Sequence, residues 1–444
     1  MPALTSDVAV DGTASAVDQF SHDLETLGQQ CAELATQLKS RLLKSGHPLP
    51  SFSPDGPEAY PTDDPSLDQL REQLRESAKT LYELASDPDD AVTRELYAKI
   101  HDMNAFAYVA RYNVADSIPT TGSISYRTLA EQTGTGHGQL RKALRHLMTL
   151  RVFAEPAPEH VGHTAASKRL LARGVRLNNG FLCRETFKMA AFQVDAIDKW
   201  GHDSADADRT AHNMAHGTEL PIFRYLRETS LRADDFGELM AYLFKSASRG
   251  HERLLGSYDW AALGAVTMVD VGGSTGHCSV VVARANPDMK FVVQDLPHVV
   301  ASASNPATCT VPADLRGRIT FQGHDMMQPQ PVVADVYFMR MVLHDWSDPA
   351  CEKALAQLAG AMERRPGSRL LVVDSILPPA GQWPTVVERP IRVADLQMGL
   401  VHNGKERQLD EWADLFRRGD ARFFISRIVQ QERSPLAIME VMLK

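Results

Sequence analysis

The residue types able to move a proton gather in the C-terminal half of the chain. His344 lies in RMVLHDWSD, Asp374 closes the apolar run LLVVDS, and Glu406 lies in NGKER. An imidazole titrates at about 6.5 when unperturbed, which makes it a workable base at neutral pH. Carboxylates flanking it would orient the ring and stabilise its protonated form. Upstream, VDVGGSTG holds Gly272, Gly273 and Gly276. Glycines allow a sharp turn and a close backbone approach to a ligand, since no Cβ intervenes. The helix expected behind them presents free N–H groups. Strand, tight turn and helix in that order make a nucleotide-type cofactor site. Asp295, about 20 residues further on in VVQDLP, is placed to accept ribose hydroxyls. Asp325 and Met326, in GHDMM, suit the edge and face of an adenine. The glycines run G-G-x-x-G rather than the dinucleotide G-x-G-x-x-G, which points to S-adenosylmethionine before a nicotinamide cofactor.

The elements that must position these groups alternate in type. Apolar runs predict strands over 266–271, 291–294, 319–322, 336–339 and 370–374, with helical stretches between them, notably 278–285 and 351–364. That alternation implies a parallel sheet covered on both faces. A helix is expected near 409–417, then an antiparallel hairpin from 422–429 and 436–442. Such a terminal hairpin is no part of the dinucleotide-binding plan. Earlier in the chain, residues 1–16 read as a disordered leader. Helical spacing recurs over 20–43, 67–85 and 92–114, with a Ser/Pro-rich linker at 45–65. Residues 125–132 and 140–150 read as two helices about a glycine-rich turn, followed by a β-wing at 153–164. The pattern resembles a winged helix-turn-helix. Further helices are expected over 181–200 and 224–250.

Bulk properties exclude several classes. The chain has 444 residues, too many for one ordinary core. Hydrophobic content is 43%, charged content 23% and net charge −9, so wholesale nucleic-acid binding is not expected. The winged segment is locally basic, with Arg141, Lys142 and Arg145 on its second helix. We read that as a solvated face rather than a DNA surface. The five cysteines are scattered without a C-x-x-C pair, as free thiols are. No apolar run is long enough to span a bilayer and no secretory leader is evident, so a cytoplasmic protein is expected. His212 and His216 stand at i, i+4 in HNMAH, but Asn213 takes the place of the zinc motif's glutamate. No metal is expected.

Together, VDVGGSTG, VVQDLP, GHDMM, MRMVLHDWSD, LLVVDSILP and NGKER make the chain resemble a known family. These are the S-adenosylmethionine-dependent class I O-methyltransferases of the caffeic-acid and hydroxyneurolignane type, fungal secondary-metabolite branch. The resemblance covers residue 92 to the C-terminus. It implies a Rossmann-like seven-stranded catalytic domain, α/β in class, preceded by a mostly helical winged-helix dimerisation domain. The expected division is 1–90 leader, helices and linker; 91–176 winged-helix-like dimerisation domain; 177–260 helical connector; and 261–444 cofactor-binding catalytic domain. By motif matching, Gly272, Gly273, Gly276, Asp295, Leu296, Asp325, Met326 and Arg340 would contact the cofactor. His344 would take the hydroxyl proton, supported by Asp374 and Glu406. Asp374 stands where plant members often carry glutamate, and Arg340 where they carry lysine.

The acceptor pocket is expected from the helices before the first catalytic strand and from residues 398–403. Its candidate lining is Phe192, Phe223, Met240, Met398 and Asn403. Methionine and phenylalanine suit a planar aromatic or enolic acceptor, a polyketide-derived phenol being the first candidate. A homodimer is implied by the family. Some proteins of this fold group bind the cofactor without methylating and catalyse dehydration or pericyclic steps. Arg340 and His163 would serve that alternative.

Overall fold

The computed structural model describes residues 23–61, 64–226, 228, 233–244, 258–305, 309–431 and 434–444. The leader expected over 1–16 lies outside them, as do parts of the helix expected over 224–250. The chain forms two compact units. One joins the segment ending at Leu49 to Ala59–Tyr97 and Pro378–Ile391; the other holds Pro50–Glu58, Ala98–Leu377 and Arg392–Lys444. Among the described residues no helix is long and apolar enough to cross a membrane.

The smaller unit is built on α1 (Leu24–Lys44) and α2 (Pro65–Ala85). Asp23 accepts a hydrogen bond from the Thr26 backbone N–H, and Asp64 from those of Ser66 and Leu67. Caps of this kind contribute about 1 kcal/mol each. Leu38 and Leu42 of α1 pack with Leu67 of α2. The Glu76 carboxylate, 4% exposed, accepts from Thr385 Oγ1 and the Val386 backbone N–H. It thereby satisfies a free donor at the start of the helix Thr385–His402. No element is expected there from sequence, and Pro390 lies inside the helix.

In the larger unit, the part of α3 (Glu95–Arg111) from Ala98 onward sends Ala105 and Val109 into a core with α4 (Tyr126–Thr133) and α5 (His137–Thr149). Strands β1 (Ile124–Ser125), β2 (Phe153–Ala157) and β3 (His160–His163) form a small antiparallel sheet in the order β1-β3-β2. Two basic side chains of α5 meet acids of the β2–β3 hairpin. Arg145 lies 2.8 Å from Glu155, and Arg141 3.0 Å from Glu159. The helix expected over 181–200 is interrupted. It runs as Arg173–Phe181, a π turn at Leu182–Thr186, Phe187–Ala191 and Gln193–Trp200.

The catalytic-type sheet has seven strands. They are β4 (Thr267–Val271), β5 (Lys290–Asp295), β6 (Ile319–Gly323), β7 (Val336–Arg340), β8 (Arg369–Ser375), β9 (Phe423–Gln430) and β10 (Leu436–Leu443), in the order β6-β5-β4-β7-β8-β10-β9. The first five are parallel, and β10 pairs antiparallel with β8 and β9. Strands buried on both faces read as continuous apolar runs. Tyr337, Met339, Leu370 and Val372 enter one core with Trp412 and Phe416. Val336, Phe338, Leu371 and Val373 enter the other. The chain order reverses at β4, whose neighbours are β5 and β7. A crevice therefore opens at the carboxyl ends of β4 and β7, where ligands of such sheets sit.

Candidate active site

The glycine turn follows β4. Gly272 and Gly276 have φ of +71° and +75°, which side-chain-bearing residues rarely adopt. A Cβ on Gly273 would meet Asp270 Cγ at 2.6 Å and Val293 Cγ1 at 2.8 Å. Ser274 also has positive φ, at 50°, and its backbone N–H donates to Asp295 Oδ2 over 2.9 Å. The other Asp295 oxygen accepts from the Leu296 N–H at 2.7 Å. Glycine turn and acid, far apart in sequence, are thus one hydrogen-bonded unit at the ends of β4 and β5.

This unit opens on a cavity of about 380 Å³. Gly272, Gly273, Asp295, Leu296, Asp325, Met326 and Arg340 all line it, as do Phe223 and Met240. Gly276, at the head of the helix His277–Ala285, is not among the lining residues. Nor are Phe192, Met398 and Asn403. Asn403 instead donates its side-chain amide to the carbonyls of Asp206 and Arg209, at 3.0 and 3.3 Å. The lining also includes Asp270, Asp345 and Trp346, to which sequence reasoning assigned no role. Burial raises the Asp270 carboxyl to about 6, even though Ser279 donates to it and Arg340 lies near. Burial raises Asp295 and Asp345 as well. Asp270, Asp295, Asp325 and Asp345 thus surround the cavity together with thioether and aliphatic surfaces.

His344 is carried past the end of β7 on a short turn, Leu343–Asp345, and is 6% exposed. Its Nδ1 lies 2.9 Å from Glu406 Oε1 and 3.8 Å from Asp374 Oδ1. Its Nε2 lies 3.6 Å from Asp345 Oδ1. Burial alone would lower the imidazole pKa; Asp374, Asp345 and Glu406 outweigh it and raise it to about 10. Asp374 is itself fully buried and is pushed up to about 7 by that burial. Its shorter arm reaches ion-pair range of the ring, whereas Glu406 reaches hydrogen-bond range.

The segment 403–407 is tied to the same turn from several sides. Arg407 forms a parallel bridge with Ile376 just beyond β8, and its carbonyl accepts from the Leu377 N–H at 2.9 Å. The Glu406 N–H donates to Asp395 at 2.9 Å. The fully buried Arg407 guanidinium donates to the carbonyls of Leu343 and Trp346, at 3.1 and 3.0 Å, and pairs with Asp348 at 2.7 Å. Those two carbonyls flank His344. A Cβ on Gly404 would strike the His344 carbonyl oxygen and come within 2.6 Å of the Asp345 carbonyl carbon. Arg407 and Gly404 lie inside the NGKER stretch, but their part in holding the turn shows only in three dimensions.

Comparison with known proteins gives the family. A family model described as an O-methyltransferase domain matches residues 200–421. The chain is 36% identical over 424 residues to the O-methyltransferase aoiF of Aspergillus oryzae, covering 94% of this chain and 99% of that protein. It is 34% identical over 427 residues to the O-methyltransferase VdtC of Byssochlamys spectabilis, covering 94% and 97%. Among solved structures, OxaC superposes with a TM-score of 0.75 at 21% identity, over 95% of this chain and 99% of that one. LepI in complex with SAM gives 0.70 at 20% identity, over 94% and 100%.

Proposed function

The chain belongs to the O-methyltransferase domain family and uses S-adenosylmethionine, and from that premise we propose that it methylates a phenolic or enolic hydroxyl of a small secondary metabolite, with His344 as general base. The observation that carries this reading is the His344 group: one buried imidazole with a carboxylate in hydrogen-bond range of Nδ1 and two more within ion-pair range. Gly272, Gly273, Asp295, Leu296, Asp325, Met326 and Arg340 would hold the cofactor, and Gly276 shapes the turn behind it. When bound, that cofactor supplies a methyl group already activated by a sulfonium. The protein's own work is to align the acceptor oxygen and remove its proton.

Glu406 accepts a hydrogen bond from Nδ1–H, which leaves Nε2 to face the hydroxyl. Once Nε2 gains that proton, the three carboxylates stabilise the imidazolium. A conjugate acid at about 10 matches the acidity of a phenol, about 10, so the transfer runs nearly level. Phe223 and Met240 offer the acceptor an apolar wall. A polyketide-derived aromatic fits such a wall, and the relatives' membership of the same family supports the secondary-metabolite class. Val92, Leu96 and Tyr97, 57–69% exposed, support a homodimer, which sedimentation velocity tests.

The primary test is transfer of a labelled methyl group from S-adenosylmethionine to a panel of phenolic and enolic polyketides. Label should appear in product with the wild type and fall at least about 100-fold in His344→Ala, with S-adenosylhomocysteine affinity unchanged. Undiminished transfer in the variant removes His344 as base; no transfer to any acceptor removes the methylation reading.

A further inference from the structure

The HNMAH motif has no part in the chemistry described so far, yet it packs behind one wall of the cavity. That wall is short. Phe223 and Leu226 line the cavity, and they belong to the single helical turn Ile222–Tyr225 and its C-cap. A helix of one turn has little stability of its own, so its place must be set from outside. Phe223 and Tyr225, two residues apart, point to different sides of it. Ile222 and Tyr225 are not among the lining residues. They pack instead in an apolar cluster with Met189 and Ala211.

Apolar packing of that kind has no direction. The polar groups of the HNMAH helix, Ala211–His216, supply one. Asn213 closes this helix in a capping box with Thr210. Its amide also donates to the carbonyls of Thr218 and Leu220, at 3.0 and 3.1 Å, which holds the segment leading into the wall. His216 Nδ1 lies 2.9 Å from the Tyr225 hydroxyl oxygen. His216 Nε2 lies 3.1 Å from the carboxylate of Glu185, on the π turn Leu182–Thr186, and both side chains are buried. A carboxylate opposite Nε2 favours a proton on that nitrogen, which leaves Nδ1 to accept from the Tyr225 O–H. The rings of His212 and His216 pack on Tyr225 at 4.8 and 4.7 Å.

The same turn is tied on the Phe223 side. Phe223 meets the His402 ring at 4.7 Å. His402 stacks in turn on Trp346, with centroids 5.0 Å apart and planes within 5°. Trp346 lines the cavity two residues after His344. The wall thus stands between the turn that carries His344 and a buried chain that ends at Glu185.

We propose, on the reading of this cavity as an acceptor site, that Glu185, His216 and Tyr225 are positioning residues that set where Phe223 and Leu226 stand against an aromatic acceptor. None of the three touches the acceptor; they act through the wall. Glu185 selects the His216 tautomer, His216 holds the phenol, and the phenol fixes the turn. Removing the Tyr225 hydroxyl leaves the apolar packing in place and takes away the anchor.

The test is a double-mutant cycle, read by calorimetric binding of 2-naphthol to the full chain loaded with S-adenosylhomocysteine. Binding reports recognition without turnover. Tyr225→Phe should weaken 2-naphthol binding at least about five-fold, as the loss of one hydrogen bond would. S-adenosylhomocysteine affinity should stay within about two-fold. In a Phe223→Leu background the same change should alter 2-naphthol binding by less than about two-fold, because the ring it positions is gone. His216→Leu should match Tyr225→Phe. His216→Asn, whose amide oxygen can accept from the phenol, should recover part of the affinity. Undiminished 2-naphthol binding in Tyr225→Phe overturns the proposal. So does an equal loss for 2-naphthol and S-adenosylhomocysteine, which assigns the chain to general stability, or a full effect that persists without the Phe223 ring. A wild type that binds no 2-naphthol overturns it as well. A protein that shows the coupling yet transfers no methyl group would sink the methylation reading alone.

Discussion

Changing Glu406 to glutamine removes a charge from the His344 ring and keeps its volume. In the wild type the ring is raised from the usual 6.5 to about 10, by Asp374, Asp345 and Glu406 acting against burial. That rise corresponds to about 5 kcal/mol of preference for the imidazolium. Glu406 contributes the 2.9 Å hydrogen bond, while the aspartates stand at 3.8 and 3.6 Å. A hydrogen bond to a charged group contributes about 1.5–3 kcal/mol, so its loss should lower the imidazole pKa by about 1–2 pH units. The assay is single-turnover methyl transfer from pH 6 to 10.5, which isolates chemistry from product release. In the wild type the rate should climb with pH as His344 loses its proton. In the variant that limb should shift to lower pH by about 1–2 units and the plateau should fall about 10–100-fold, since the imidazolium formed on proton uptake is less stable. Thermal unfolding gives an independent sign. The His344 pKa is raised on folding, so its stabilisation is complete below about 6.5 and is lost as pH rises through about 10. Glu406→Gln should therefore lower Tm most below pH 6.5, with the difference shrinking toward pH 10. An unmoved acidic limb with an intact plateau would refute the assignment.

Other perturbations have equally definite outcomes. Gly404→Ala pushes a Cβ into the backbone of the His344 turn; kcat should fall at least about 10-fold with S-adenosylhomocysteine affinity retained, as single-turnover rates and calorimetry will show. Gly273→Ala drives a Cβ against Asp270 and Val293; cofactor affinity should drop at least about 10-fold by calorimetry, a loss of about 1.4 kcal/mol or more. Arg407→Met frees the carbonyls that flank His344 and leaves Asp348 without its closest cation; Tm should fall by several degrees, and the rate should fall further than KM rises. Asp270 is raised to about 6 by burial, so the folded state holds a proton that the unfolded chain releases near 3.8. Stability on its account falls as pH rises from about 4 to 6. Asp270→Asn should raise Tm at pH 8, with the gain vanishing near pH 4.

The sheet was legible because its signals are local. Strands buried on both faces require unbroken apolar runs, and 336–339 and 370–374 are such runs. The observed β7 and β8 extend them by one residue at an end or two. The helix Thr385–His402 was not expected from sequence: Pro390 lies inside it, and the Glu76 carboxylate, far away in the chain, accepts from the Val386 N–H in its first turn. The acceptor candidates were sorted in the same way. Phe223 and Met240 reach the cavity, while Phe192, Met398 and Asn403 do not line it. An apolar side chain on a predicted helix has no direction until the helix is packed.

By itself the sequence determined the strand alternation, the glycine turn and the types of group available at His344, Asp374 and Glu406. These depend on side-chain chemistry and short-range backbone preference. Tertiary structure decided which of these groups meet. Asp374 and Glu406 lie 30 and 62 residues from His344. They reach one imidazole only because β7 and β8 run parallel in register and Arg407 bridges to Ile376. The raised imidazole follows from its burial among three carboxylates, and burial is a property of the packed chain.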